Sequence, residues 1–311
     1  MPSEEKIAVI DMGTNTFHLL ISNLHGDVVH KEKVAVKLGK GGISDGTITP
    51  KAYARALNTI DFFKKTIDSY HVKQIYATAT SAIRVAGNGG QLVKDIKKHA
   101  DIDVQVISGD KEAEYIYYGV RSAIDLGMAT SLVMDIGGGS VEFIICNREK
   151  IFWKQSFEIG AQRLLDKFHQ HDPISEEDIR NIAYFLDESL VPLFEAAEEF
   201  DPEILVGSSG TFDTLSEIDN QEKGRTFVAD NEKEYSLNME DYCRIHQEII
   251  SRDKEQRLLI PGMSEMRVDM IVVACCMISF ILHKLDIKTI RVSTYSLKEG
   301  VLDRILAGVK I

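Results

Sequence analysis

Two short segments carry an aspartate, then glycine, then a hydroxyl side chain, the pattern expected of a phosphate-holding turn. One is Ile10-Asp11-Met12-Gly13-Thr14-Asn15-Thr16, and the other is Asp135-Ile136-Gly137-Gly138-Gly139-Ser140-Val141-Glu142. Glycine lets backbone N–H groups approach an anion closely, and the Thr, Asn and Ser side chains add donors. An aspartate at the end of a strand can hold a divalent cation beside the phosphates, directly or through water. One such turn alone often does no more than build a hairpin. Two of them point to an anion site shared by two units.

Three further segments could complete such a site. Gly207-Ser208-Ser209-Gly210-Thr211 follows the apolar run Ile204-Leu205-Val206 and precedes a helical pattern, and a glycine-rich entry to a helix N-terminus is a ready anion site. It matches neither a P-loop nor a dinucleotide fingerprint, and an ordinary strand–helix turn reads the same way. Arg84 ends the hydroxyl-rich run Ala77-Thr78-Ala79-Thr80-Ser81-Ala82-Ile83, where it could clamp a phosphate or simply pair with a helix carboxylate. Glu112, after Ser108-Gly109-Asp110-Lys111, falls in the first turn of a helix. It could complement the helix dipole or deprotonate an attacking water.

The elements that must position these residues repeat. Residues 7–23 and 131–147 align without a gap: an apolar run, Asp-x-Gly, a small polar turn, and a second apolar run closed by Asn. Each reads as strand–turn–strand, which predicts two similar units. Between them Thr49-Pro50 opens a helix with apolar residues at Tyr53, Leu57, Ile60, Phe63 and Ile67. Strands are expected at 74–78 and 102–107, helices at 91–99 and 111–123. Later come a helix opened by Ser175, strands at 204–207 and 289–293, and a last helix from about Lys298. This alternation indicates α/β layers. The expected division is 1–125, joined by about 298–311, and 126–297.

A chain of 311 residues is long enough for two cores. Its charge of −12 argues against non-specific nucleic-acid binding, so an anion site must be a local basic or metal-bearing pocket. Cys146, Cys243, Cys275 and Cys276 form no CxxC pair, and a reducing compartment fits them best. The apolar stretch 271–282 is too short to span a bilayer and reads as a buried helix. With no leader pattern, a cytoplasmic protein without membrane contact is expected, a homodimer being its expected assembly.

Taken together, the five segments resemble the exopolyphosphatase and guanosine pentaphosphate phosphatase family. Leu259-Ile260-Pro261-Gly262-Met263-Ser264-Glu265-Met266-Arg267 and Ser296-Leu297-Lys298-Glu299-Gly300-Val301-Leu302 match as well, so the likeness spans almost the whole chain. It implies two actin-like (ribonuclease H-like) domains flanking a cleft, and Mg²⁺-dependent release of terminal phosphate from inorganic polyphosphate or guanosine pentaphosphate. Glu112 falls on the family's catalytic base and Arg84 on its phosphate-binding arginine. Asp135 and Glu142, with Asp11, fall on the acidic positions near the metal. Gly13, Thr14 and Asn15 fall on the first phosphate loop, and Gly137, Gly138, Gly139 and Ser140 on the second. Gly207, Ser208, Ser209, Gly210 and Thr211 make the third loop, and Arg267, with Lys37, Lys40 and Lys298, is expected to guide the anionic chain.

Two departures from the family pattern stand out. Val85 replaces an Asp after Arg84, and Glu114 stands where an Arg is common. Longer members carry a mostly helical C-terminal extension, which is not expected here, and short polyphosphates or nucleotides then suit the site better than long polymers. An actin-like small-molecule kinase and a non-catalytic polyphosphate or nucleotide sensor are the rival readings.

Overall fold

The protein is described here by a computed structural model covering residues 5–225 and 232–309. The extreme ends of the first expected domain, 1–4 and 310–311, lie outside the described residues.

The first sheet has five strands: β1 (Lys6–Met12), β2 (Phe17–Asn23), β3 (Val28–Val34), β4 (Gln74–Ala79) and β5 (Val104–Val106), in the order β3-β2-β1-β4-β5. The second has β6 (Ser131–Ile136), β7 (Val141–Cys146), β8 (Ile151–Phe157), β9 (Ile204–Ser208), β10 (Glu234–Leu237) and β11 (Thr289–Ser293), in the order β10-β11-β9-β6-β7-β8. In each sheet a three-stranded antiparallel meander is extended by parallel strands on one side, β4 and β5 in the first and β9 and β11 in the second. The internal repeat is thus a repeat of topology. Its two Asp-x-Gly turns occupy equivalent places, between β1 and β2 and between β6 and β7.

Strands β6 and β7 are buried along their whole length, so their apolar sequence is continuous rather than alternating. Around the sheets lie α1 (Pro50–Ser69), α2 (Ser81–Val85), α3 (Gly89–Ala100), α4 (Gly109–Ala123), α5 (Ala161–Phe168), α6 (Glu176–Ser189), α7 (Val191–Phe200), α8 (Gly210–Glu222), α9 (Met239–Ser251), α10 (Lys254–Leu258), α11 (Met270–Lys284) and α12 (Leu297–Leu306). Thr49 caps α1 through its side chain, with Pro50 in the first turn. Ser175 and Asp178 form a reciprocal capping box on α6. Helix α11 is apolar on nearly every side and sits inside the second core, as its sequence predicts. None of the described helices is long and apolar enough to cross a membrane.

Several boundaries differ from the sequence reading, among them α3, which runs from Gly89 to Ala100 where 91–99 is expected. Helix α4 begins at Gly109, because the Ser108 side chain accepts from Lys111 N–H at 3.2 Å and starts the helix within the expected turn. Strand β5 is three residues long, since it pairs only with Ala77–Ala79 of β4.

Each sheet has its own core, and a third cluster joins them. Ile7, Val9 and Leu20 of the first sheet and Val133, Ile144 and Val206 of the second meet Tyr115, Ile116 and Val120 of α4 and Val301 and Leu302 of α12. The last helix therefore returns to pack on α4 and β1. This shared layer sets the distance between the two Asp-x-Gly turns.

Candidate active site

The turns face each other around a cavity of ≈70 Å³. Asp11, Gly13, Thr14, Asn15 and Thr16 line it from the first turn, and Asp135, Gly137, Gly138, Gly139, Ser140 and Glu142 from the second. Glu112, Thr80, His18, Ser209, Arg267 and Ser296 complete the wall. The loops approach so closely that a Cβ on Gly138 would run into the Asn15 amide, and one on Gly139 into the Ser81 and Thr14 hydroxyls. Glycine is required there by contact across the cleft, not by backbone angle.

Three buried carboxylates, Glu112, Asp135 and Glu142, and the partly buried Asp11 surround this space. Antiparallel pairing sets Glu142 directly opposite Asp135, while His18 stands opposite Asp11 in the first hairpin. Asp135 Oδ2 accepts from Ser208 Oγ at 2.7 Å and Ser296 Oγ at 2.6 Å, and Glu142 Oε1 accepts from Ser156 Oγ at 2.7 Å. Glu112 Oε2 accepts from Arg84 Nη1 at 2.9 Å. Burial raises all four. Asp11 reaches about 7, through desolvation with Asp135 adding and Lys298 opposing. Glu142 reaches about 8, through desolvation and Asp135. Glu112 lies well above the usual carboxylate range through desolvation and Glu142, which the Arg84 ion pair opposes without cancelling. Desolvation also raises Asp135, against the hydroxyls of Ser296 and Ser208.

Such a cluster calls for a cation. Asp11 Oδ1 is buried without a hydrogen-bond partner, and the available donors are hard oxygens of the kind Mg²⁺ prefers. Among the described residues no group of three His, Cys, Asp or Glu side chains is placed to hold a metal ion between them. Magnesium does not need such a group, since it usually takes one or two carboxylates and fills its shell with water and phosphate oxygens. Asp11, Asp135 and Glu142 supply oxygen donors of the right chemistry for such an open site, in which one or two of them would touch the ion directly.

The raised carboxylates set a pH dependence with a definite sign. Their folded-state values of about 7 and 8 exceed the unfolded values of 3.8 and 4.5, so the folded state binds more protons in that window. Their stabilising contribution is fully present at the acid end and is lost as pH rises through 7 and 8. Metal-free protein is expected to melt at progressively lower temperature as pH rises toward 8, and added magnesium should raise the melting temperature more at pH 8 than at pH 5.5. Thermal melts in chelator and in magnesium check this. A melting temperature that climbs with pH in chelator would remove the argument for a metal-demanding cluster.

Several expected site residues stand elsewhere. Arg84 does not line the cavity: it lies behind Glu112, with Nη1 on Glu112 and on Ile107 O at 3.1 Å and Nη2 on Glu158 Oε1 at 2.9 Å. Of the third loop only Ser209 faces the cavity, with a positive φ of 73°, a strained backbone held beside Asp135. Ser208 is buried on Asp135, Thr211 is buried in α8, Gly207 lies against the Phe212 ring, and Gly210 against the Arg267 guanidinium. Arg267 is 7% exposed and its guanidinium has no hydrogen-bonding partner among the described residues, which leaves it available to an anion. The guiding lysines divide. Lys37 and Lys40 line a side opening shared with Asn15, Thr16 and Arg267, whereas the partly buried Lys298 pairs with Glu299 at 3.0 Å and lines a different one.

The sequence reading missed Glu158, Arg163, Ser156 and His18. Nothing marks Glu158 or Arg163 in sequence apart from their place after β8. His18 is signalled only by alternation, as an inward polar residue opposite Asp11.

Comparison with known proteins fits this geometry. Residues 20–308 match the profile of the Ppx/GppA phosphatase family. The chain belongs to that family. It is 26% identical over 304 residues to Exopolyphosphatase 1 of Mycobacterium tuberculosis, covering 96% of this chain and 88% of the mycobacterial one. The crystal structure of an exopolyphosphatase from Cytophaga hutchinsonii shares 48% identity at a TM-score of 0.96, covering 98% of this chain and 99% of that one. The Aquifex aeolicus Ppx/GppA family member, at 23% identity and TM-score 0.81, covers 98% of both chains and has the same fold. The architecture is two actin-like α/β domains, and membership of a phosphatase family marks the chain as a hydrolase.

Proposed function

We propose that this Ppx/GppA family protein is an exopolyphosphatase that removes terminal phosphate from inorganic polyphosphate. The observation that carries this reading is Glu112, a buried carboxylate fixed by Arg84 on the wall of the cavity that both phosphate loops line. Backbone N–H groups of Thr14 and Asn15 and of Gly138, Gly139 and Ser140, with the Arg267 guanidinium, would hold the terminal phosphoryl and its developing charge, while the Gly13 and Gly137 N–H groups close the turns on Thr16 O and Ser140 O. Glu112 would orient the attacking water and take its proton. Asp11, Asp135 and Glu142 would hold Mg²⁺, whose chemistry is to neutralise phosphoryl oxygens and thereby admit a polyanion to an acidic protein.

Guanosine pentaphosphate, cut at its 5′ end by the same chemistry, is the second reading. It is favoured by a pocket of ≈420 Å³ that shares His18 and Arg267 with the cavity and lies within the size range of small-molecule sites. Phosphate release from the two substrates in magnesium, measured side by side, decides between them. Faster cleavage of polyphosphate is the expected result. Faster cleavage of the nucleotide would transfer the assignment, and phosphorylation of an added acceptor by ATP would replace both with a kinase.

A further inference from the structure

The contacts of Glu158 assign a gate. Glu158 lies in the loop between β8 and α5, on the second half of the molecule, yet its carboxylate binds the first. Oε2 accepts from Ser81 Oγ at 2.5 Å and from Arg163 Nη2 at 3.1 Å, and Oε1 accepts from Arg84 Nη2 at 2.9 Å. Arg163 strengthens the same seam, with Nε on Gly139 O at 2.9 Å and Nη1 on Ile43 O at 3.2 Å. One glutamate of the second half therefore reaches an arginine and a serine of the first, steadied by Arg163 of its own half, beside the glycine at which the phosphate loops touch.

The charges on Arg84 give this arrangement a consequence. Its guanidinium carries one positive charge and serves two carboxylates, Glu112 and Glu158. Glu112 is 7% exposed and held in α4, so it cannot leave. The Glu158 side chain is 39% exposed, and Oε2 would keep Ser81 and Arg163 if Oε1 let go. Releasing Arg84 costs a single charge-assisted bond at a partly solvated site, a modest quantity. The group best able to replace that carboxylate is another planar-facing oxyanion, and a phosphoryl group presents one with more charge.

We propose that Glu158 is an internal competitor for a phosphoryl group: it occupies Arg84 at the seam beside the cavity, and a phosphate of the substrate chain that reaches the seam displaces it. Glu158 thus sets the affinity for the anion and the opening of the seam, while leaving proton transfer by Glu112 untouched. This rests on the phosphate-site reading above, so the probe is inorganic phosphate, which binds but has no anhydride bond to cut.

The test is titration calorimetry with phosphate at fixed magnesium on wild type, Glu158→Gln, Arg84→Gln and the double variant, with Glu158→Ala added in case the amide still bonds Arg84. Removing the competitor is expected to tighten phosphate about tenfold, the scale of one charge-assisted hydrogen bond. The double variant should show no such gain. In hydrolysis assays Glu158→Gln should lower KM several-fold and change kcat little. Unchanged or weaker phosphate binding in both Glu158 variants overturns the gate, as does an equal gain in the double variant, which would mean general charge relief. If phosphate tightens through Arg84 but neither polyphosphate nor guanosine pentaphosphate is cut, the gate stands and the substrate assignment falls.

Discussion

Glu112→Gln is expected to lower the rate of phosphate release by at least about 10²-fold, the usual scale for a positioned general base, without unfolding the protein. The glutamine has nearly the same volume, and its carbonyl oxygen can still accept from Arg84 Nη1, so the water's neighbours stay in place. What disappears is the ability to take a proton. KM should change by no more than a few-fold, because no phosphate donor has been removed. Stability should move the opposite way to activity. Burial and the Glu142 charge both penalise ionised Glu112, and an amide at that position suffers neither. The melting temperature is therefore expected to be equal to or above that of wild type. At saturating magnesium, wild-type activity should rise with pH on its acid side as the raised Glu112 ionises, and that limb should shrink in the variant to what the ionisation of Asp11 and Glu142 leaves. Residual activity above a tenth of wild type, or an unchanged acid limb, would give the base role to another group.

That prediction uses a residue legible in the sequence, and the reasons for its legibility are physical. Motifs that hold phosphate do so with backbone and short side chains within a few residues, so Asp11–Thr16 and Asp135–Glu142 stand out as words. Their gapless repetition foretold the duplicated sheets, because equal strand and turn lengths impose the same hairpin twice. What escaped were residues that act across the fold. Arg84 was expected to face the phosphate, and it faces two carboxylates, one of them on the other half of the chain. Glu158, Arg163 and Ser156 approach the site only because β8 runs beside β7. No local pattern distinguishes them from a solvated surface. The third loop was over-read for a related reason. Its glycines satisfy packing against Phe212 and Arg267, and only the strained Ser209 reaches the cavity.

Long-range dependence of this kind also governs the last helix, and Gly300→Ala is expected to be among the most damaging small substitutions in the chain. Helices α4 and α12 cross where Gly119 faces Ser296 and Gly300 faces Tyr115. A Cβ on Gly300 would land on the Tyr115 carbonyl, with Gly119 N only 2.9 Å away. These neighbours are backbone, which cannot rotate aside as a side chain could, so the helices must separate. Overpacking of this kind costs roughly 1–3 kcal/mol, a fall in melting temperature of about 2–4 °C for each kcal/mol in a domain of this size. The displacement would also be transmitted to the site. Ser296 caps α12 and donates to Asp135 Oδ2 at 2.6 Å, so moving the start of that helix loosens one of the two hydroxyls that hold Asp135. Gly300→Ala should therefore raise the magnesium concentration needed for half-maximal activity as well as lower the melting temperature. Gly90→Ala, where a Cβ would meet nothing within 4 Å, provides the comparison and should alter neither. A Gly300→Ala protein that melts normally and needs no more magnesium would mean that the α4–α12 crossing yields without cost, and that Asp135 is held independently of it.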